Sequence, residues 1–437
     1  MLKAIEEYFE FEKHQTNFKT EFVAGLSTFL SLSYIFVVNP SILSKGGMNA
    51  SMVLFATIAT SFLATFLMGL WAKKPFVLAP GLEMNSYVAF FVIGTLGFTW
   101  QEALGACFWS GVIFLILTLS KVRLQIINAI PDKLKTGLSA AVGVFLIIIA
   151  LRLTGIMNYE GVNIKSLGDP FSNKGLILLV GGAIIFMLNY FKFQGSILVS
   201  IIVASVVANF VGVKNNPDAQ VAANSDMLLG LFKMDFGVIL NPKIFSAIII
   251  LFLIDFYGSV AKIIGLTFNT SIIDKDGSMP KLKEALIIDG AGTMFGAGVG
   301  TSSITVYVES GVGIGVGGRS GMTAIVCAAF MLLFLPLAPV LNLVPVEATT
   351  GALLWVGLQL MPKWKDVRQF HWVEVISVLV MLVLVAVTFS LDKAMLFGFT
   401  AYIVGKIIAG ERKEINPYLI VSAALLLIGA ILTFIYK

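Results

Sequence analysis

The sequence is short of charge. Of its 437 residues only 13% are Asp, Glu, Lys or Arg, about half the ~25% carried by soluble domains. Cysteine and histidine are scarcer still, with two of each. Cys107 and Cys327 both fall inside apolar runs. Two such residues exclude a disulfide scaffold, and each reads as a small packed hydrophobe. His14 and His371 lie outside the apolar runs, which excludes a histidine proton relay or a histidine metal site within them. No nucleophile, metal cluster or cofactor motif converges, so an enzyme is not expected, nor a metal or cofactor. The net charge is +5, but the cations stand singly between apolar runs. No nucleic acid partner is therefore expected, and membrane topology explains the cations better.

Apolar length is what the chain has in abundance. It is 58% hydrophobic, with a mean hydropathy of +0.93, and runs of about twenty apolar residues recur, each long enough to cross ~30 Å of hydrocarbon. The class is an all-α polytopic membrane protein. Spans are expected at 22–43, 50–71, 76–95, 101–120, 133–151, 175–191, 195–213, 244–267, 281–297, 300–317, 320–342, 345–361, 372–390 and 392–409, followed by an apolar segment at 416–436. The opening stretch MLKAIEEYFEFEKHQTNFKTE is charged and amphipathic, without the apolar core of a signal peptide. Lys and Arg accumulate on the cytoplasmic side. Placing the N-terminus inside puts 17 of them there, among them Lys121, Arg123, Lys275, Lys363 and Lys365, against 8 outside, among them Lys214. An integral protein of a bacterial cytoplasmic membrane with its N-terminus inside is expected.

The chain repeats itself. IPDKLKTGLSAAVG (130–143) is similar to VPVEATTGALLWVG (344–357), an offset of 214. Seven spans between the copies, an odd number, would invert one half relative to the other, a mark of secondary transporters. Two spans are poor continuous helices. VLAPGLEMNSYVAFF (77–91) has Pro80-Gly81 in its middle, and GVGTSSITVYVESGVGIGVGGRSG (298–321) passes from hydroxyl residues through β-favouring ITVYV to glycines. Broken backbone at membrane depth is tolerated only where protein or a cavity satisfies it, and paired breaks in two halves point to a binding site.

At these residues the chain resembles the AzgA-like purine permeases of the nucleobase:cation symporter-2 superfamily. The resemblance rests on TEFVAGLSTFLSLSYIFVVNPSIL (20–43), APGLEMNSY (79–87), DGAGTMFGAGVGTSSITVYVESGVGIGVGGRSGMTA (289–324) and VPVEATTGALLWVG (344–357). It implies 14 transmembrane segments in two inverted repeats of seven. The core domain would be 1–125 (spans 1–4) with 241–342 (spans 8–11). The gate domain would be 126–240 (spans 5–7) with 343–437 (spans 12–14 and the C-terminal apolar segment). Spans 3 and 10 would each hold a short strand and a half-helix, with a nucleobase between them and span 8. Proton-coupled uptake, by movement of core against gate, is the implied activity, with sodium as the other candidate ion. A homodimer through the gate domains is what related folds imply.

Glu309, in Tyr307-Val308-Glu309-Ser310, is the first candidate for base contact. A carboxylate accepts two N–H hydrogen bonds side by side, and an intramembrane one is functional by default. Asn85 offers both a donor and an acceptor. Thr301, Ser302 and Ser303 line the crossing point or bond back to their own helix. Tyr34, Tyr87 and Phe90 stack on the base or pack in the membrane, and Arg319 marks an end of span 10. The half-helix starts near Glu83 and Glu309 present free N–H groups.

Span 8 departs from the family. Where the resemblance implies D-x-x-D-T-x-G-T, the chain has Asp255-Phe256-Tyr257-Gly258-Ser259-Val260-Ala261-Lys262. The first acid is kept, the second is Gly258 and the final threonine is Lys262. In span 3, Glu83 stands where the family has glycine. Asp255, Gly258 and Lys262 share a helix face, so Lys262 is expected either to pair with Glu83 across the site or to extend to the interface. Glu309, Glu83 and Asp255 are the proton-coupling candidates. The expected substrate is a purine (adenine, guanine, hypoxanthine or xanthine). An anionic substrate on the same fold is the alternative, favoured by Lys262 and opposed by Glu309.

Overall fold

The computed structural model describes residues 2–120, 131–160, 163–193, 195–213, 225–267, 270–273, 279–336, 343–362 and 367–435. Lys121, Arg123, Ile130, Lys214, Lys275, Lys363 and Lys365, used above for topology and for the repeat, lie outside them.

Two short helices precede α1 (Phe18–Leu32), which begins where Asn17 accepts from the Thr20 amide at 3.0 Å, an N-cap that satisfies one otherwise unpaired donor. The helix breaks at Ser33-Tyr34 and resumes as α2 (Ile35–Leu43). α3 (Ala50–Leu70) is capped by Asn49, and α5 (Trp100–Leu119) by a reciprocal Thr99–Glu102 box. Between them lie β1 (Leu78–Pro80) and the half-helix α4 (Leu82–Ser86), which continues as a π-helical turn over Tyr87–Ile93. α6 (Asp132–Leu153), α7 (Asn173–Tyr190) and α8 (Ser196–Phe210) follow, with a hairpin of β2 (Met157–Glu160) and β3 (Asn163–Leu167) between the first two.

The second half runs α9 (Phe245–Thr267), α10 (Leu282–Val299), β4 (Ile304–Val306), α11 (Ser310–Val316), α12 (Gly321–Leu332), α13 (Thr350–Gln359), α14 (Trp372–Thr388), α15 (Leu391–Ile408) and α16 (Pro417–Ile435). Among the described residues, Phe18–Gly46, Ala50–Leu70, Trp100–Leu119, Lys133–Leu153 and Asn173–Tyr190 are long and apolar enough to cross a membrane. The fold is mostly helical and polytopic. The sequence had no signal for the β2–β3 hairpin beyond the glycines at 155, 161 and 168.

Helix packing falls largely into two groups, with α16 packed on both α9 and α15. α10 packs on α5 and α3, α12 on α3 and α1, α11 on α1, and α9 on α5. Separately, α13 packs on α6 and α7, α14 on α15 and α6, and α7 on α8. The broken segments meet in the first group. β1 and β4 pair antiparallel, with Leu78 opposite Val306, Ala79 opposite Thr305 and Pro80 opposite Ile304. Three-residue strands are marginal alone, and their freed backbone groups need partners in an apolar interior. Neighbouring residues supply them. Thr65 Oγ1 accepts from Leu78 N (3.0 Å) and donates to Leu78 O (3.1 Å), Thr293 Oγ1 accepts from Ile304 N (3.2 Å), and Ser310 Oγ accepts from Val77 N (3.0 Å). Gly300, at φ 113°, turns the chain from α10 into β4 where an L side chain would be strained. Gly292 lets α10 lie against the strand, since a Cβ there would collide with Ile304.

Candidate functional site

Each strand ends three residues before a glutamate. Glu83 follows Pro80 and sits in the first turn of α4, and Glu309 follows Val306 and immediately precedes α11. Because the strands are antiparallel, the two half-helices leave the crossing in opposite directions and both carboxylates border the same space.

Each glutamate is held by a donor from a different helix. α9 lies along β4, with Ser259 Oγ 2.8 Å from Thr305 Oγ1. One turn on, Lys262 Nζ donates to Glu83 Oε1 at 2.9 Å and to Thr305 Oγ1 at 3.3 Å. The lysine is therefore paired across the site instead of extending to an interface. The two side chains are 15% and 11% exposed; at that burial an unpaired charge costs several kcal/mol and a hydrogen-bonded pair is tolerated. Tyr34, at the break between α1 and α2, donates its hydroxyl to Glu309 Oε1 at 2.8 Å. Glu309 Oε2 has no hydrogen-bond partner among the described residues. The Tyr307 hydroxyl donates to the Pro80 carbonyl, tying the second broken segment to the first.

These groups line a cavity of about 30 Å³, together with Leu82, Val308, Val356 and Leu360. It has room for little more than a water or two. Two larger cavities adjoin it. One, of about 280 Å³, is lined by Glu83, Gly258 and Lys262 with Lys135, Leu138, Ser139 and others of α6. The other, of about 550 Å³, is lined by Glu309 and Val312 with Asn189, Lys192 and Trp355 among others. Val308 and Leu360 line all three. They are the apolar lining common to the charged pocket and the wider spaces.

The residues singled out from sequence divide. Glu83, Gly258, Lys262, Tyr307 and Glu309 line these cavities. Asn85, Asp255, Thr301, Ser302 and Ser303 do not, and all are buried. Ser302 Oγ donates to Asn85 Oδ1, and Thr301 Oγ1 accepts from Asn39 Nδ2 at 3.0 Å, so these groups brace the crossing from behind. Asp255 shares its helix face with Lys262 but lies two turns earlier, past the strand. There Thr293 Oγ1 of α10 donates to its Oδ2 at 3.2 Å and Ser259 Oγ to its Oδ1 at 3.4 Å. Tyr87 stacks on Phe91 (centroids 5.1 Å) and Phe90 packs edge-on to Phe389 (6.4 Å), away from the pocket. Tyr34, a stacking candidate, serves as the donor to Glu309. Arg319 donates its backbone N–H to Glu21 Oε1 at 2.9 Å and its guanidinium to the Gly318 carbonyl at 2.8 Å, remote from the cavities.

Sequence reasoning missed the lining from α6 and α13. Lys135, Leu138, Ser139 and Val356 lie inside the two repeat copies, and Gln359 and Leu360 just after the second. The repeat was itself the signal. It also passed over Asp289, fully buried on α10 one turn before Thr293, although a carboxylate in an apolar run is a flag in its own right.

The model of the Permease family matches residues 19–361. A putative permease of Methanocaldococcus jannaschii is 35% identical over 97% of this chain and 98% of its own length. The adenine permease AdeQ of Escherichia coli is 32% identical over 97% and 95%. The guanine/hypoxanthine permease PbuO of Bacillus subtilis is 31% identical over 96% and 99%. Among solved structures, the transmembrane domain of the cyanobacterial bicarbonate transporter BicA covers 93% of this chain and 97% of its own, with a TM-score of 0.63 at 14% identity. The murine anion transporter Slc26a9 in its inward-facing state covers 90% and 69%, with a TM-score of 0.65 at 12% identity. At that identity the structures speak for fold alone. With the family model spanning most of the sequence and relatives above 30% identical along nearly all of it, the chain belongs to the permease family, in the AzgA-like branch of the nucleobase:cation symporter-2 superfamily.

Proposed function

We propose that this protein is a secondary-active transporter that imports a nucleobase, with a purine as substrate, by proton symport. The observation that carries the reading is the pair of adjoining cavities at the two broken segments, lined by Glu83, Lys262 and Glu309, together with a buried Glu309 oxygen that has no hydrogen-bond partner among the described residues. A charged acceptor held rigid by Tyr34 suits the paired N–H groups of a base edge. The names of the relatives, adenine permease and guanine/hypoxanthine permease, support the same substrate class.

The pocket offers an anion no net positive charge, because Glu83 neutralises Lys262 at 2.9 Å. This tells against the anionic alternative that Lys262 alone would favour. Among the coupling candidates, Asp255 is held by Ser259 and Thr293 and Glu83 is held by Lys262. Glu309 is the group we assign to the proton.

The mechanism we assign is an elevator, with the α1–α5 and α9–α12 group as the core and α6–α8 with α13–α16 as the gate, in 14 spans plus the C-terminal helix. Inverted repeats are supported by the site itself: 309 − 83, 305 − 79 and 306 − 80 all equal 226, and the donors to the two glutamates come from the opening helices of opposite halves. With the N-terminus cytoplasmic, the wider cavities open inward, as Lys135 and Lys192 fall on that side. Uptake of labelled adenine, guanine, hypoxanthine, xanthine, uracil and urate into cells lacking their own permeases tests the proposal. Accumulation of a purine, abolished by a protonophore and by Glu309→Gln, is expected. No accumulation of any base would overturn it.

A further inference from the structure

We infer that residues 2–17 form a pH-released clasp on the connector from α3 into β1, with His14 as its switch. Acidification on the side of the N-terminus opens the clasp and loosens the broken segment that carries Glu83. The device needs no assumption about the substrate; that the pH it reads is cytoplasmic rests on the orientation proposed above.

Helices Leu2–Tyr8 and Phe11–His14 fold back on the end of α3. The last carbonyls of a helix lack partners within it. Here Tyr8 donates its hydroxyl to Leu70 O at 2.7 Å, and Lys281, just before α10, donates to Trp71 O at 2.8 Å. Lys73 closes the clasp from the other side. Its Nζ donates to the Tyr8 carbonyl at 2.7 Å, and lies 4.1 Å from the centre of the Tyr8 ring and 3.7 Å from Glu10 Oε1. Phe9 and Phe11 are buried. Among the described residues seven non-glycine residues have positive φ, and Glu10 (58°), Gln15 (50°), Lys73 (53°) and Lys281 (61°) are four of them. Such backbone persists only where the surroundings hold it, and it clusters at switch regions. Soon after Lys73 the connector enters the strand crossing, where Val77 N donates to Ser310 Oγ and Val77 O accepts from Tyr307 N.

His14 ends the second helix. It is buried, and its Nδ1 has no hydrogen-bond partner among the described residues. The charged groups that face it are Glu10 and Lys13 on its own segment, Lys74 on the connector and Glu21 on α1. Neither carboxylate is free. Glu10 lies 3.5 Å from Lys13 Nζ and 3.7 Å from Lys73 Nζ. Glu21 accepts the backbone N–H groups of Arg319, Ser320 and Thr323 and the Thr323 hydroxyl. A neutral imidazole forgoes one acceptor bond here. An imidazolium would add a buried donor without an acceptor, and a second cation beside Lys74. Burial and Lys74 accordingly hold the imidazole below its ordinary range. The closed clasp thus binds fewer protons than the open one. Its stability is fully present above the ordinary histidine value of about 6.5, and is lost as pH falls from there to the lowered value of the closed state. Under the proton symport proposed above, a clasp that opens as the interior acidifies is a brake on further influx.

The test is hydrogen exchange on the full chain in lipid nanodiscs from about pH 8 to about pH 5.5, with no substrate added and each amide corrected for its intrinsic rate. Residues 9–16, whose amides bond within the segment, are expected to lose protection at least about threefold, and the amides between Val77 and Asn85 to lose it with them. His14→Phe, apolar and unable to titrate, should hold both stretches flat. Lys74→Gln, which keeps the imidazole but removes the cation beside it, should shrink the loss, and it serves if the phenylalanine variant does not fold. Protection that does not change in the natural protein, or that falls as much in either variant, would overturn the inference. So would a loss confined to residues 9–16, since the signal would then stop short of the broken segment. Because no base is present, failure of the nucleobase reading leaves each of these outcomes unchanged.

Discussion

Lys262 and Glu83 are 179 residues apart in sequence and 2.9 Å apart in space. Each is unusual for the position that the family resemblance assigns it, and the two unusual residues meet. Truncating one partner leaves the other charge buried and unpaired, whereas replacing both removes the problem. Glu83→Ala and Lys262→Ala are therefore expected to destabilise the protein by about 3 kcal/mol each, and Glu83→Leu/Lys262→Met by clearly less than either. Thermal unfolding of the detergent-solubilised variants measures this. A double variant as unstable as the two singles added together would mean that the residues do not interact.

Under the proposed function, Tyr34 acts on the base through Glu309. Its hydroxyl is the donor that fixes Oε1, at 2.8 Å in a fully buried setting. Hydrogen bonds to charged groups contribute about 1.5–3 kcal/mol, so Tyr34→Phe should weaken base binding about ten- to a hundredfold. Equilibrium binding would show it. Unchanged affinity would mean that Glu309 is positioned without the tyrosine.

At the far end of α6 from Lys135, Arg152 lies between two rings, with Cζ 5.3 Å from the centroid of Phe90 and 5.2 Å from that of Phe389. Phe90 follows the half-helix α4, and Phe389 joins α14 to α15, so this cation bridges the two helix groups. Phe389 holds a left-handed backbone (φ 47°, ψ 40°), uncommon for a bulky residue, and it is fully buried and stacked on Phe145 at 4.7 Å. If the groups slide during transport, this contact must open. Each cation–π contact is worth about 0.5–2 kcal/mol. Arg152→Ala should therefore lower labelling of a Ser139→Cys thiol in the cavity beside α6 by about tenfold as the other state fills. The native Cys107 and Cys327 are fully buried and do not confuse the readout. Labelling that does not change would exclude the latch.

Leu360 lines the charged pocket and both wider cavities. Leu360→Ala should widen these spaces and admit bulkier N-alkylated purines, with affinity gains of about tenfold per accommodated methylene. Competition assays with a graded series of analogues would reveal it. Lost affinity for every analogue would instead make Leu360 a direct packing surface for the base.

Much of this arrangement was written in the sequence where chemistry and environment disagree. Pro80-Gly81 and the ITVYV stretch stand out against helical apolar runs, and they became β1 and β4. Glu83, Lys262 and Glu309 stand out as charges in such runs, and they became the pocket. Residues that fit their surroundings gave no such contrast. Val308, Val356 and Leu360 look like any membrane aliphatics, and only the three-dimensional crossing places them at the pocket. Asp255 illustrates a different limit. Helical spacing put it on the face of Lys262, but spacing along one helix does not say what packs against each turn of that face, and Asp255 is buried against Ser259 and Thr293. The β2–β3 hairpin was hidden because its residues are neither apolar enough to mark a span nor regular enough in alternation to mark strands.

The central claim is that a base is held between Glu309 and the Lys262–Glu83 pair. Saturation binding of labelled hypoxanthine to the purified protein and to Glu309→Gln, which keeps the shape of the side chain and the contact to Tyr34, tests it most directly. Saturable binding to the natural protein and a loss of about a hundredfold or more in the variant are predicted. Equal binding by the two proteins would contradict the account.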